Sequence, residues 1–187
     1  MTRIAINGFG RIGRQTFRRI LEIYPDLEIV AINDLTESKT LAHLLKHDSN
    51  YGTYDKKIEA TDNAIVVDGK EFAITAEKNP EVLPWKNMKV DIVLECTGLF
   101  AKKEEAQKHI TAGAKKVIVS APCDKETPGF ILGVNTDNFD IAKTDVMDMG
   151  SCTTNCLAPI VKILHENLVI KKGFMTTVHS YTNDQRI

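Results

Sequence analysis

The stretch "NGFGRIG", residues 7–13, decides how this chain folds. A short apolar run, "RIAIN" (residues 3–7), leads into it. The stretch that follows, residues 11–24, carries Ile12, Thr16, Ile20 and Ile23 at helical spacing and stops at Pro25. A strand, a G-x-G-x-x-G turn and a helix, trailed about 20 residues later by an acidic residue at the end of a second strand, is the full context of a dinucleotide fingerprint. The acidic residue here is Asp34. Each glycine has a steric reason. Gly8 lets the strand turn sharply, Gly10 leaves room for a pyrophosphate to approach the backbone, and Gly13 lets helix and strand pack closely. The amides of Arg11 and Ile12 lie at the positive end of the helix dipole, where an anion is favoured. Asp34 can accept from both ribose hydroxyls and would repel a 2′-phosphate, so NAD is expected rather than NADP.

Working outward, "EIVAIND" (residues 28–34) reads as a second strand and "SKTLAHLLKH" (residues 38–47) as a second helix, the start of a parallel α/β sheet. "AIVVDGKEFAIT" (residues 64–75) reads as a hairpin with Asp68-Gly69 as a type I′ turn. "VDIVLECTG" (residues 90–98) and "KKVIVSAP" (residues 115–122) are apolar enough to be strands buried on both faces. "KKEEAQKHITAG" (residues 102–113) is a helix capped by Gly113. "FILGVN" (residues 130–135) and a segment at residues 145–147 complete the expected sheet. The fold class is α/β, a Rossmann-type doubly wound, mostly parallel sheet. Thr97-Gly98 and Ser120-Ala121 end strands of it, where ligands of open α/β sheets collect, so both can touch a cofactor. Ordinary loop chemistry accounts for these two pairs nearly as well.

Composition removes several function classes. Twenty-four basic against 25 acidic residues leave a net charge of -1, with no electrostatic pull toward nucleic acid or anionic lipid. No apolar run approaches the length of a membrane span. The opening "MTRIAINGFGR" has no secretory apolar core and reads as the start of the fold. At 187 residues the chain makes one domain, or one domain and part of another. The four cysteines, Cys96, Cys123, Cys152 and Cys156, form no C-x-x-C pair and suit a reduced, cytoplasmic setting better than a disulfide framework.

The second informative stretch is "MGSCTTNC", residues 149–156. Cys152 stands where a helical pattern begins and runs on through residues 155–168. A helix N-terminus stabilises a thiolate, and a thiolate attacks aldehyde carbonyls. Ser151, Thr153 and Thr154 can donate to an oxyanion or a phosphate. Taken alone, Cys152 is more often structural than catalytic. His179 changes that balance. It lies in "KGFMTTVHSYT" (residues 172–182), read as a strand in which Thr177, His179 and Tyr181 share one face. An imidazole beside a thiol can take its proton and, once charged, hold the thiolate. Cys156, one helical turn further on, reads as a small buried side chain, and Cys96 as core. His109 and His165, in charged helical stretches, read as surface. His43 and His47 are four apart, but with no third ligand they read as a solvated helix face. A zinc module on Cys152 and Cys156 is a competing reading that predicts stoichiometric metal. The expected metal content is none.

Taken together, "AINGFGRIGR", "NDLT", "LLKHDSNYG", "LECTG", "SAP", "SCTTNCLAP" and "TTVHSYTNDQ" occur in order along essentially the whole chain. This resembles the phosphorylating glyceraldehyde-3-phosphate dehydrogenase family. The resemblance implies Cys152 as nucleophile and His179 as its base. Asn7, Gly8, Gly10, Arg11, Ile12, Gly13, Asp34, Thr97, Gly98, Ser120 and Asn183 would hold NAD, with Lys78 near the adenine side. Ser151, Thr153 and Thr182 would contact glyceraldehyde 3-phosphate or inorganic phosphate. Residues 1–150 would form the NAD-binding Rossmann domain. Residues 151–187 would be the truncated start of an α+β catalytic domain, a nucleophile helix and a first strand. The full-length form is expected to be a homotetramer, and the chain is expected to need a complementing C-terminal half for turnover. Two further readings are an NAD-binding module without catalysis and a relative acting on erythrose 4-phosphate. The family usually reads "SNASCTTNC", whereas this chain has Asp148, Met149 and Gly150 before Ser151. A carboxylate there would raise the thiol pKa if the two groups were close.

Overall fold

The computed structural model describes residues 1–182, so Asn183 lies outside the described residues. In chain order the elements are β1 (Thr2–Asn7), α1 (Arg11–Ile23), β2 (Leu27–Asn33), α2 (Ser38–Lys46), β3 (His47–Asp48), β4 (Gly52–Thr53), β5 (Ile58–Thr61), β6 (Ala64–Val67), β7 (Lys70–Thr75), β8 (Ile92–Glu95), α3 (Lys103–Thr111), β9 (Lys116–Val119), β10 (Val146–Asp148) and α4 (Cys152–Leu168). The main sheet runs β10-β9-β8-β1-β2-β7-β6-β5. It is parallel from β10 to β7, and β6 and β5 add antiparallel. The chain winds from β1 outward to β2 and β7, then returns to the other side of β1 as β8. That reversal makes the carboxyl ends of β1 and β8 the topological switch point, where ligands of such sheets bind.

Alternation along β1 builds both core layers. Ile4 and Ile6 point into a layer with Phe9, Phe17, Leu41, Leu45 and Phe72. Ala5 points into the opposite layer, with Trp85, Val93, Ala106, Val117 and Val119. In β2 the pairing passes from Ile4↔Ile29 to Ala5↔Ala31, so Val30 is an extra residue. This bulge is why Ile29 and Ile32, three apart, share a face. Phe17 meets Phe9 and Phe72 edge-on at centroid distances of 5.4 and 4.8 Å. The hairpin turn falls at Asp68-Gly69 with φ of 49° and 83°, the paired left-handed conformation of a type I′ turn.

Several sequence expectations are corrected. The inward face of α1 is Gly13, Phe17 and Ile20, while Ile12 and Ile23 are exposed. His109 is fully buried. Residues 130–135 form turns rather than a strand. Asn135 Oδ1 accepts from the Ile131 amide and its Nδ2 donates to the Gly129 carbonyl, so a side chain takes the place of a ladder. No strand forms over residues 172–182; the segment joins no β-ladder among the described residues, and Phe174 and Val178 are fully exposed. A strand without a neighbour has no ladder to hold it. Cys156 is exposed, because α4 buries none of its residues among those described. No helix of the described residues is long and apolar enough to cross a membrane.

Candidate active site

The glycine turn sits at the switch point, and each glycine meets a different constraint. Gly8 has φ of 89°, and a Cβ on it would lie 2.7 Å from the Thr97 amide nitrogen. Its own N–H donates to the Asn33 carbonyl (2.8 Å), while the Cys96 N–H donates to Asn7 (2.7 Å). The ends of β1, β2 and β8 are thereby locked together. A Cβ on Gly13 would lie 2.2 Å from the Gly8 carbonyl oxygen, so α1 seats directly on the turn. A Cβ on Gly10 would meet nothing within 4 Å. The space above Gly10 is open, no side chain caps α1, and its first turn holds no acidic residue. A pyrophosphate fits such a cradle sterically and electrostatically.

Asp34 closes the turn from the β2 side. Its Oδ2 accepts from the Phe9 amide (2.7 Å) and its Oδ1 from the Thr36 amide (2.9 Å). The half-buried carboxylate keeps lone pairs for a ribose. The Arg11 guanidinium donates to Asp48 (2.7 Å), whose carboxylate also accepts from Gln15, Asn50 and Tyr51. The Tyr51 amide, then the Asn50 amide and the Arg11 guanidinium, hold the Asp48 carboxyl down at about 2. The backbone amides of Arg11 and the exposed Ile12 stand at the start of α1 beside the cradle. Thr97, Gly98 and Ser120 follow β8 and β9 at the same edge of the sheet. Lys78 is exposed, three residues beyond β7.

Cys152 opens α4. Gly150, at φ of 66°, makes the turn out of β10, and Ser151 caps the helix by accepting from the Thr154 amide at 3.0 Å. The Ser151 hydroxyl also lies 2.9 Å from that of Thr153 and 2.8 Å from that of Thr154. Asn155 Nδ2 donates back to the carbonyls of Met149 and Ser151, fixing the turn from inside the helix. His179 Nε2 stands 3.0 Å from Cys152 Sγ, and its Nδ1 is bonded to the Ser180 carbonyl. A carbonyl only accepts, so Nδ1 carries hydrogen and Nε2 is free to take the thiol proton. The hydrogen bond from His179 and its charge pull the Cys152 pKa down, aided by the amides at the start of α4. The same contacts, led by the Ser180 carbonyl, raise that of His179. Both shifts favour a thiolate–imidazolium pair. The pair lines a cavity of about 390 Å³ with Thr153, Cys156, Met175 and Thr177. Thr182 is exposed three residues past His179.

Asp148 does not act on the nucleophile as expected. Its buried carboxylate accepts from the Gly150 amide (2.7 Å) and the Cys123 amide (3.1 Å). It adds to the burial that pushes the Cys123 thiol up to about 11, while the leading influences on Cys152 are His179, burial and the helix-start amides. Burial likewise takes Cys96 up to about 12, whereas Cys152 is the thiol that a histidine holds ready for nucleophilic attack.

Residues 2–103 match the family model described as the glyceraldehyde 3-phosphate dehydrogenase NAD binding domain. The chain belongs to the glyceraldehyde-3-phosphate dehydrogenase family. Residues 151–187 match the C-terminal domain of the same family. The chain is 55% identical over 185 residues to the glyceraldehyde-3-phosphate dehydrogenases of Clostridium pasteurianum and Geobacillus stearothermophilus, covering 99% of this chain and 55% of each relative. It is 54% identical over 188 residues to that of Thermotoga maritima, covering 56% of that protein. The chain spans about half the length of the curated relatives it matches.

Sequence reasoning missed three features of this site. These are the buried Glu95–His109 pair beneath the switch point, the capture of the Arg11 side chain by Asp48, and the role of Asp148 as a turn anchor. The first two depend on partners distant in sequence; the third combines a local turn to the Gly150 amide with a distant partner, the Cys123 amide.

Proposed function

We propose that this chain is the cofactor-binding and nucleophile-bearing part of an NAD-dependent dehydrogenase that converts glyceraldehyde 3-phosphate and inorganic phosphate to 1,3-bisphosphoglycerate. The observation that carries the reading is the 3.0 Å approach of His179 Nε2 to Cys152 Sγ, on a chain whose glycine turn lies at the switch point of its sheet. Within it, residues 1–150 are the NAD-binding unit and residues 151–187 begin the catalytic unit.

The glycine turn and the amides of Arg11 and Ile12 hold the pyrophosphate, and Asp34 takes the ribose. Asn7, Lys78, Thr97, Gly98, Ser120 and Asn183 complete the cofactor set. Bound NAD supplies the hydride acceptor. The Cys152 thiolate adds to the aldehyde carbon, forming a C–S bond, while the carbonyl electron pair moves to oxygen, which takes a proton. His179 then holds the proton that this hydroxyl gives up as the carbon is oxidised to a thioester. Such general-base help is worth about 10²–10⁴ in rate. Inorganic phosphate attacks the thioester carbonyl, the C–S bond breaks, and Cys152 leaves as thiolate. Ser151, Thr153 and Thr182 contact phosphate. A nucleophilic thiol is kept reduced in the cytoplasm, which is the compartment we assign. Assembly of the full-length form as a homotetramer belongs to the same reading.

The isolated chain fits best as an NAD-binding module that lacks turnover. Ile160, Ile163, Leu168, Phe174 and Val178 all face solvent on and beyond α4. A C-terminal half like that of the longer relatives would cover this surface. The test titrates the purified chain with NAD by calorimetry, then follows NADH formation from glyceraldehyde 3-phosphate and phosphate. The assay is run with and without the C-terminal half of one of the Clostridium relatives. NAD binding, no turnover alone and turnover on mixing is the expected result. Failure to bind NAD would overturn the reading, and turnover by the chain alone would overturn the need for a second half.

A further inference from the structure

Beneath the glycine turn lies a buried polar network that the proposed chemistry does not use. Glu95, at the end of β8, is 1% exposed, His109 on α3 is 0% and Asn7 on β1 is 1%. The direction of every hydrogen bond in it can be read from groups that only donate. The Trp85 indole N–H donates to His109 Nδ1 (3.0 Å), so the proton of a neutral His109 is on Nε2, which donates to Glu95 Oε2 (3.0 Å). From the other side, the Glu77 amide donates to Asn33 Oδ1 (2.9 Å). This turns Asn33 Nδ2 toward Asn7 Oδ1 (2.7 Å), and Asn7 Nδ2 toward Glu95 Oε2. The Thr97 amide and hydroxyl both donate to Glu95 Oε1. The donors of Asn7, His109 and the Thr97 amide converge on Glu95, an arrangement that favours its carboxylate form. Against a charged imidazole stands the Trp85 N–H, which takes Nδ1 as its acceptor and so favours the neutral ring. Among the described residues no lysine or arginine pairs with it.

A fixed, unneutralised anion therefore sits directly under Asn7-Gly8 and Thr97-Gly98, the floor of the switch-point cleft. We propose that Glu95 makes this cleft discriminate between the oxidised and reduced forms of a nicotinamide cofactor. The inference rests on the NAD reading above. The oxidised nicotinamide ring is a cation; gaining a hydride, a proton with two electrons, makes it neutral. The two forms thus differ by one positive charge. A fixed anion beneath the cleft favours the cationic form, and the expected effect is a factor of about ten in affinity. Four hydrogen bonds spread over β1, β8, α3 and the Thr97 turn hold the anion in place at no cost of reorganisation when the ligand arrives.

The test is the ratio of NADH to NAD+ dissociation constants, measured by calorimetry on the chain. The wild type is expected to bind NAD+ about tenfold more tightly, and Glu95→Gln to bring the ratio close to one. His109→Gln keeps the charge and disturbs the packing, so it is expected to weaken both forms together and leave the ratio near wild type. Equal affinities in the wild type would overturn the proposal without any variant, which keeps it testable should Glu95→Gln not fold. An unchanged ratio in folded Glu95→Gln, or a collapsed ratio in folded His109→Gln, would overturn it too. A wild type that binds neither nucleotide sinks the NAD reading itself, whereas one that binds both equally sinks only the discrimination.

Discussion

The reactivity of Cys152 depends on one neighbour more than on its helix. The leading cause of its lowered pKa is the His179 hydrogen bond, with the helix-start amides contributing less. His179 is in turn raised, with the Ser180 carbonyl and the thiolate as causes. The sign of the pH response follows. Below the depressed thiol pKa, Cys152 is protonated and slow to alkylate. Above it the thiolate is present well before an ordinary thiol would ionise. As pH rises through the raised His179 pKa, the imidazolium is lost and the thiolate remains, unpaired. Iodoacetamide labelling of Cys152 against pH is expected to rise at a lower pH than for a free cysteine near 8.5. His179→Gln is expected to move that rise upward toward the free value. Profiles that coincide for the two proteins would show that the imidazole does not govern the thiol.

Among the elements, the strand–turn–helix unit at the N-terminus was the most legible, because its signal is local. The glycine spacing, the apolar strand and the acid ending β2 all lie within the first 34 residues, and the structure brings them together at one sheet edge. The hairpin at Asp68-Gly69 was legible for the same reason: two residues fix its turn. The inward face of α1 was misread because Phe17, the residue that seats it, falls between the isoleucines that carry the apparent period. Residues 172–182 read as a strand on composition, but strand formation needs a neighbour, and none is present among the described residues. Burial of His109 was invisible since lysines and glutamates surround it in sequence, while its partners come from β8 and Trp85. Legibility thus tracks the sequence distance of the deciding contact. The glycine contacts also yield a prediction at this scale. Gly13→Ala places a methyl against the Gly8 carbonyl, a backbone atom that cannot swing aside. Chemical denaturation is expected to show a loss of about 1–3 kcal/mol. An unchanged midpoint would mean that α1 is not seated on the turn.

Over the whole molecule, stability is unevenly distributed. The two core layers flank β1, β2, β8 and β9, and every large, fully buried side chain belongs to the sheet or to what packs on it. By contrast α4 has no fully buried residue among those described, and its ties to the rest include Lys162, which donates to the Gly133 and Val134 carbonyls, and the Gly150 turn. A helix held by propensity and a few exposed hydrogen bonds opens locally, whereas central strands open only with the whole fold. Pro159 weakens it further, since it removes one amide from the middle of the helix. Amide hydrogen exchange followed by mass spectrometry is therefore expected to divide the chain. Peptides from β1, β8 and β9 should exchange at the rate of global unfolding, and those from α4 orders of magnitude faster. Adding a C-terminal half of the family should slow α4 alone, because docking would cover Ile163, Leu164 and Leu168 without touching the sheet. Protection of α4 equal to that of β1 in the isolated chain would contradict this division. It would mean that the nucleophile's helix is held by the nucleotide-binding layers themselves, and that the pairing of Cys152 with His179 needs no second half to persist.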